Sequence, residues 1–166
     1  MVLEVRPVRR AEYDTLAELT VAAYRALRSD WDLGSYAEEL AGVDERAAAA
    51  DVLVAVDDGA VIGGVTFVPG PGNPYAEDLR PGEAGIRMLA VSPAAQGRGA
   101  GRALTVACIE RARALGATGV ALHSTAWMTV AHRLYESLGF VRMPSRDLSY
   151  PDVEILSFVL AFDGDR

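Results

Sequence analysis

The chain has no lysine: all 16 of its basic residues are arginine. That excludes a Walker A phosphate loop, which needs a lysine to reach the phosphates. A single cysteine, Cys108, leaves no internal disulfide to form. The two histidines, His123 and His132, have neither helical i,i+4 nor metal-type spacing, so no metal is expected. No apolar run approaches the ~20 residues of a membrane helix. The start, Met1–Arg6, is charged too early for a secretory leader. A cytoplasmic protein with no membrane partner is the expectation. A net charge of −7 and a pI near 4.8 disfavour a general nucleic-acid binder. Ala, Gly, Arg and Val dominate where lysine is missing, which points to a GC-rich bacterial genome.

What is present is the composition of a globule. With 166 residues, 51% apolar and 23% charged, one folded domain spanning 1–166 is expected. Charge is unevenly placed. Ala11–Ala60 carries 12 Asp and Glu against 3 Arg, a net of −9, and Gln96–Arg113 carries 4 Arg against 1 Glu, a net of +3. A basic segment in an acidic chain suits an anionic ligand, or else is a solvated helix face.

Periodicity assigns the elements. Leu3–Arg6 reads as a strand and Glu12–Leu27 as a helix, with Leu16, Leu19, Ala23 and Leu27 on one face. Ser35–Ala50 reads as a second helix, opened by a capping box of Ser35 and Glu38. Val52–Val56 and Ala60–Val68 form a hairpin around Asp57-Asp58-Gly59. Pro69–Gly82 is a Pro/Gly-rich loop, long enough to be functional. Then come a strand at Gly85–Val91, a helix at Gly99–Leu115, a strand at Gly119–His123 and a helix at about Thr129–Leu138. Phe140–Arg142 and Val153–Phe162 are the final strands.

The strand ending at Val91 leads through Gln96-Gly97-Arg98-Gly99-Ala100-Gly101 into a long helix. Glycines let the backbone turn sharply and approach a ligand, and amides at a helix start favour an anion. Arg98 and Arg102 flank the turn, so it suits a phosphate or pyrophosphate. A dinucleotide fingerprint fails, because Arg102 stands where its last glycine belongs and no acid lies between Leu115 and Thr125. The coenzyme A loop [RQ]-x-x-G-x-[GA] is matched by Gln96, Gly99 and Gly101. A plain tight strand-to-helix turn is the structural alternative.

Downstream, Ala131, Leu134, Tyr135, Gly139 and Phe140 spell A-x-x-L-Y-x-x-x-G-F. Through this segment and the earlier V-x-P-x-x-Q-G-R-G-x-G, the stretch Gly85–Phe140 resembles the GNAT superfamily of acyl-CoA N-acyltransferases. The resemblance implies an α/β fold: a mixed, mostly antiparallel sheet of about seven strands, helices on both faces, and a splayed central parallel pair. It implies an N-acetyltransferase that moves an acetyl group from acetyl-CoA to an amine by direct transfer in a ternary complex, as a monomer or homodimer. A noncatalytic acyl-CoA sensor on the same fold is the alternative.

On that resemblance, the pyrophosphate would rest on Gln96, Gly97, Arg98, Gly99, Ala100, Gly101 and Arg102. Pantetheine would pair with backbone groups of Leu89 and Val91, and the Leu89 N–H would polarise the thioester carbonyl. Tyr135 would be the general acid for the departing thiolate, or else a packing residue. The chain departs from the family at two places: Met128 stands where an Asn is common, and Gly85 where a Glu is common. The contact the Asn makes would then be lost, or supplied by Thr125, Thr129 or backbone. Glu83 and His123 are the candidate bases, with a water relay or no dedicated base as the remaining options. A histidine, with an ordinary pKa of ~6.5, suits that task. The acidic first helices, the loop Pro69–Glu83 and the aromatics Tyr24, Trp31, Tyr36 and Tyr75 would make the acceptor a cationic small-molecule or peptide amine.

Overall fold

The structure is a computed structural model and describes residues 3–30 and 32–163; Trp31 lies outside the described residues. In chain order the elements are β1 (Leu3–Pro7), α1 (Tyr13–Leu27), α2 (Tyr36–Ala41), α3 (Val43–Ala49), β2 (Asp51–Asp57), β3 (Ala60–Val68), β4 (Glu83–Val91), α4 (Ala100–Ala114), β5 (Gly119–Thr125), α5 (Thr129–Ser137), β6 (Val141–Arg142), β7 (Leu148–Tyr150) and β8 (Val153–Ala161). They build an 8-stranded sheet in the order β1-β2-β3-β4-β5-β8-β6, with β7 on β8. The β4–β5 pair is parallel and its neighbours are antiparallel. β7 is the strand beyond the expected seven; three residues are too few to show a period.

Strand alternation sends side chains to two cores, one on each face. Leu53 and Ala55 of β2 join Leu104, Cys108 and Ala112 of α4. Val52, Val54 and Val56 of the same strand join Leu16, Leu19 and Ala23 of α1. Coverage on both faces is why β2 and β3 read as nearly unbroken apolar runs.

The expected helix Ser35–Ala50 is two helices, broken at Gly42 (φ −76°, ψ 55°). Its capping box does not form: Ser35 adopts helical angles (φ −65°, ψ −18°) and its side chain caps nothing, whereas an N-cap needs extended backbone. Arg46 secures the break instead. It is buried, and it donates to the Glu39 carbonyl (2.6 Å), the Leu40 carbonyl (3.0 Å) and Thr66 Oγ1 (3.1 Å). A guanidinium thus satisfies the last carbonyls of α2 and ties the break to β3.

β4 carries the feature that shapes the site. Thr66 opposes Arg87 and Gly64 opposes Ala90, so Met88 and Leu89 together face the single residue Val65. This is a β-bulge, with Met88 at φ 55°. On its other edge, β4 pairs with β5 from Glu83↔Gly119 to Ile86↔Leu122 and no further. Beyond that point the two parallel strands separate.

Candidate active site

The separation opens a cleft of about 1070 Å³. Met88–Val91 form one wall, His123–Thr125 the other, and Tyr135 of α5 and Tyr24 of α1 close it from either face. The Gly-rich turn lies at one end. Gly97 and Gly99 hold φ of 84° and 86°, and a Cβ on either would meet nothing within 4 Å. The left-handed backbone explains the glycines, and the open space in front of them is room for a ligand. The first hydrogen bond of α4 runs from the Ala103 N–H to the Gly99 carbonyl, 3.0 Å. The amides of the turn before it have no intrahelical partner, which fits this cradle to a phosphate group.

Of the residues expected around a cofactor, Leu89, Val91, Gln96, Gly97, Gly99, Ala100, Gly101 and Arg102 all line the cleft. Arg102 donates to Ser137 Oγ at 3.2 Å. Arg98 is turned the other way: it does not line the cleft, and its guanidinium meets Asp57 at 3.2 Å.

Tyr135 faces the cleft, 5% exposed, between the rings of Phe140 (5.7 Å) and Phe158 (5.9 Å). Its hydroxyl has no hydrogen-bond partner among the described residues. Burial pushes its pKa up, and the nearby Cys108 adds to the rise, so the phenol stays protonated. Cys108 itself is buried on the apolar stripe of α4, and burial pushes its thiol up to about 12. It is a core residue.

His123 lines the cleft and Glu83 does not. Glu83 is held in a fork by Arg146, 2.9 and 2.8 Å, and accepts the Arg80 N–H at 2.9 Å. Partial burial works to raise its pKa, but the Arg146 and Arg80 hydrogen bonds outweigh it and hold the carboxyl below its ordinary value. The His123 side chain is 2% exposed. Its Nε2 is 3.3 Å from the Arg146 carbonyl, and its Nδ1 is 3.7 Å from Glu77 Oε1.

At the departure from the family's Asn, the Met128 sulfur accepts a hydrogen bond from Ser124 Oγ, 3.3 Å. Nearby, His132 Nε2 lies 3.0 Å from the Thr125 carbonyl and 3.1 Å from Ser124 Oγ. A carbonyl only accepts, so Nε2 carries the proton. Burial lowers the His132 pKa and favours this neutral ring. It fixes the β5–α5 turn, a role that residue spacing alone does not reveal. Thr125 Oγ1, in the cleft wall, is buried without a partner among the described residues.

The sequence model of the acetyltransferase (GNAT) family matches residues 13–140, and the chain belongs to that family. Among curated proteins, the mycothiol acetyltransferase of Renibacterium salmoninarum is 40% identical over 67 residues, 40% of this chain and 20% of the relative. That of Cellulomonas flavigena is 40% identical over 95 residues, 56% of this chain and 27% of the relative. The chain therefore spans a minor part of these curated relatives. Among solved structures, a GNAT acetyltransferase of Brucella melitensis in complex with acetyl-CoA superposes with a TM-score of 0.65 at 24% identity, over 99% of this chain and 91% of that one. The PaiA N-acetyltransferase of Thermoplasma acidophilum, in complex with coenzyme A, gives 0.73 at 15% identity, over 95% and 98%. At these identities the likeness is one of fold.

Proposed function

We propose that the chain is an N-acetyltransferase that moves the acetyl group of acetyl-CoA directly to a cationic amine. The observation that carries this is the parting of β4 from β5 beyond Ile86 and Leu122. The gap has the Gly-rich turn at one end and the Tyr135 phenol along its side, which supports the reading.

Bound acetyl-CoA would supply the thioester and its acetyl group. The amides of Gly97–Arg102 would hold its pyrophosphate. The bulge takes Leu89 out of register with β3; its N–H would polarise the thioester carbonyl, and Val91 would bind the pantetheine arm. Interactions of the Leu89 kind are typically worth roughly 3 kcal/mol of barrier. His123 Nδ1 takes the amine's proton, directly or through one water, and Tyr135 gives its proton to the departing sulfur. Glu83, engaged by Arg146 outside the cleft, is left out of the chemistry.

A noncatalytic acyl-CoA sensor is the second reading, favoured by Gly85 and Met128 at two family positions. Acetyl-CoA titration calorimetry beside free-CoA release with a panel of amines separates the two. Binding with amine-dependent CoA release is expected, and binding without release for any amine would leave the sensor. Gly99→Glu puts a carboxylate into the cradle and should abolish binding; unchanged affinity there would remove the cradle assignment.

A further inference from the structure

Arg146 closes a 3-10 turn, Pro144–Arg146, between β6 and β7. Its side chain is 3% exposed and fully engaged. Besides the fork to Glu83, it donates to the Asp78 carbonyl at 2.7 Å and to Asp78 Oδ2 at 3.4 Å. One guanidinium therefore fastens three parts of the chain: the 3-10 turn, the first residue of β4 and the long loop before it. These partners lie 63 and 68 residues away in sequence.

The main chain of the same residue reaches the catalytic side. The Arg146 carbonyl lies 3.3 Å from His123 Nε2. Because a carbonyl only accepts, that contact is a hydrogen bond only when Nε2 carries the proton. The neutral ring then has its lone pair on Nδ1, the nitrogen a base would use. Nδ1 is the atom 3.7 Å from Glu77 Oε1, and Glu77 directly precedes the loop residue that Arg146 grips. The turn that carries this carbonyl is braced from two sides, by the side-chain clasp and by Asp147: the Asp147 N–H donates to the Pro144 carbonyl at 3.2 Å, and the Asp147 carboxylate accepts the Ser157 N–H at 2.7 Å. Among the described residues, the charged groups around the imidazole include Glu77 and Asp78 from the loop, Asp147 beyond the turn, and Arg87, which lines the same small void.

We propose that Arg146 is the positioning residue for His123, selecting its Nε2–H tautomer through the main chain and, through the side chain, seating Glu77 where its carboxylate faces the proton that Nδ1 takes up, with Glu83 as the anchor of the clasp. This rests on the reading of His123 as the base. The reaction itself gains no new group: Arg146 touches neither substrate nor reacting atom, and acts by deciding which nitrogen is free and where it points.

The ring's tautomer is directly observable by nitrogen-detected NMR of histidine-labelled protein without ligand. The wild type should show Nε2–H at His123; a dominant Nδ1–H form would overturn the proposal without any variant. Arg146→Lys keeps the charge and loses the fork. It should give mixed tautomers and a kcat lowered on the order of tenfold to a hundredfold, the scale of a misplaced catalytic group. The calorimetric Kd for acetyl-CoA should stay within twofold. A folded Arg146→Lys protein with the wild-type tautomer and kcat would overturn the proposal. Glu83→Gln, a milder cut to the same clasp, should move both readouts in the same direction by less. His123→Gln separates the two failures. Unchanged kcat in that variant overturns the base itself, whereas a loss there with Arg146→Lys at wild-type kcat overturns only the part given to Arg146.

Discussion

A side chain at position 85 would compete with Leu79 for the same space. A Cβ built on Gly85 falls 3.2 Å from both Leu79 methyl carbons and 3.6 Å from the Ala121 carbonyl oxygen. The void between Gly85, Leu79, Glu77 and His123 is only about 10 Å³, room for a single water. The family's glutamate at this place is therefore absent and its volume filled. Gly85→Glu should destabilise the fold by about 1–3 kcal/mol through overpacking, seen as a lower urea midpoint, with no gain in kcat. A variant as stable as the wild type and faster would show that Leu79 yields readily and that the site lacked a base.

Tyr135 leads to a prediction about both rate and pH. Removing its hydroxyl leaves the ring between Phe140 and Phe158, so Tyr135→Phe should fold normally. Turnover should fall by roughly 10²–10⁴, the usual range for general-acid assistance, while acetyl-CoA affinity stays within a few-fold. Burial raises the phenol's pKa, so its ionisation should leave no mark on the rate between about pH 6 and 10. Normal turnover in Tyr135→Phe would make it a packing residue.

Some of this was legible in the sequence and some was not, for a physical reason. Hydrophobic periodicity located α1, α4, α5 and the central strands because each repeats a local rule over many residues. The glycines at 97 and 99 were legible because a left-handed backbone admits little else. The bulge at Met88 was not: its φ of 55° falls on a residue type that seldom adopts it. The side-chain partnerships were equally hidden. Arg98 looked like a phosphate ligand beside its turn, yet it pairs with Asp57, 41 residues earlier. Glu83 looked like a base at the mouth of β4, yet it is held by an arginine 63 residues later. Such pairings depend on which loops the finished sheet brings together, and no local pattern encodes that.

Glu12 should make stability depend on acid. Its carboxylate is held first by the Arg6 guanidinium, at 2.8 and 2.7 Å, and then by the Arg9 N–H at 2.8 Å. Despite some burial, these hydrogen bonds lower its pKa to about 2, against an ordinary 4.5. A folded pKa below the unfolded one means the contribution is whole above about pH 4.5 and fades as pH falls toward 2. Glu12→Gln cannot titrate. It should cost about 1–2 kcal/mol at pH 7, the scale of a charge-assisted hydrogen bond, and progressively less below pH 4. Urea midpoints of both proteins from pH 7 to 2.5 measure the gap. A gap that stays constant into that acid range would place Glu12's contribution in shape rather than charge.

On the proposed function, the end of the cleft at Glu39 and Glu77 decides which amines are taken. Most of the negative charge between Ala11 and Ala60 lies elsewhere: Glu39 is the one acid of that stretch lining the cleft among the described residues. The loop contributes Glu77, while Asp78 and Glu83 are committed to Arg146. Between the two cleft carboxylates stands Arg87, 3.6 Å from Glu39 Oε1 and 3.8 Å from Glu77 Oε2. Two carboxylates against one guanidinium leave an excess of one negative charge, and neither contact is tight. Both carboxylates remain partly open, 45% and 39% exposed. Tyr24 and Tyr36 line the same end, their rings edge to face at 6.0 Å. Tyr75 borders the smaller void beside Glu77 instead. A protonated amine would be drawn to this end by charge and by the ring faces, the latter worth ~0.5–2 kcal/mol each. Polyamines, aminoglycosides and amino-acid amides should therefore outperform amino sugar phosphates and acidic amino acids. Added salt should lower kcat/KM for the best cation, because screening weakens its capture. Glu39→Gln should raise its KM roughly two- to fivefold, as expected for a partly exposed charge pair. Arg87→Gln should shift KM for the same cation downward, since it removes the competing positive charge. A preference for the anionic acceptors, or a kcat/KM indifferent to salt, would refute the cationic assignment and leave the cleft's carboxylates as partners of Arg87 and His123.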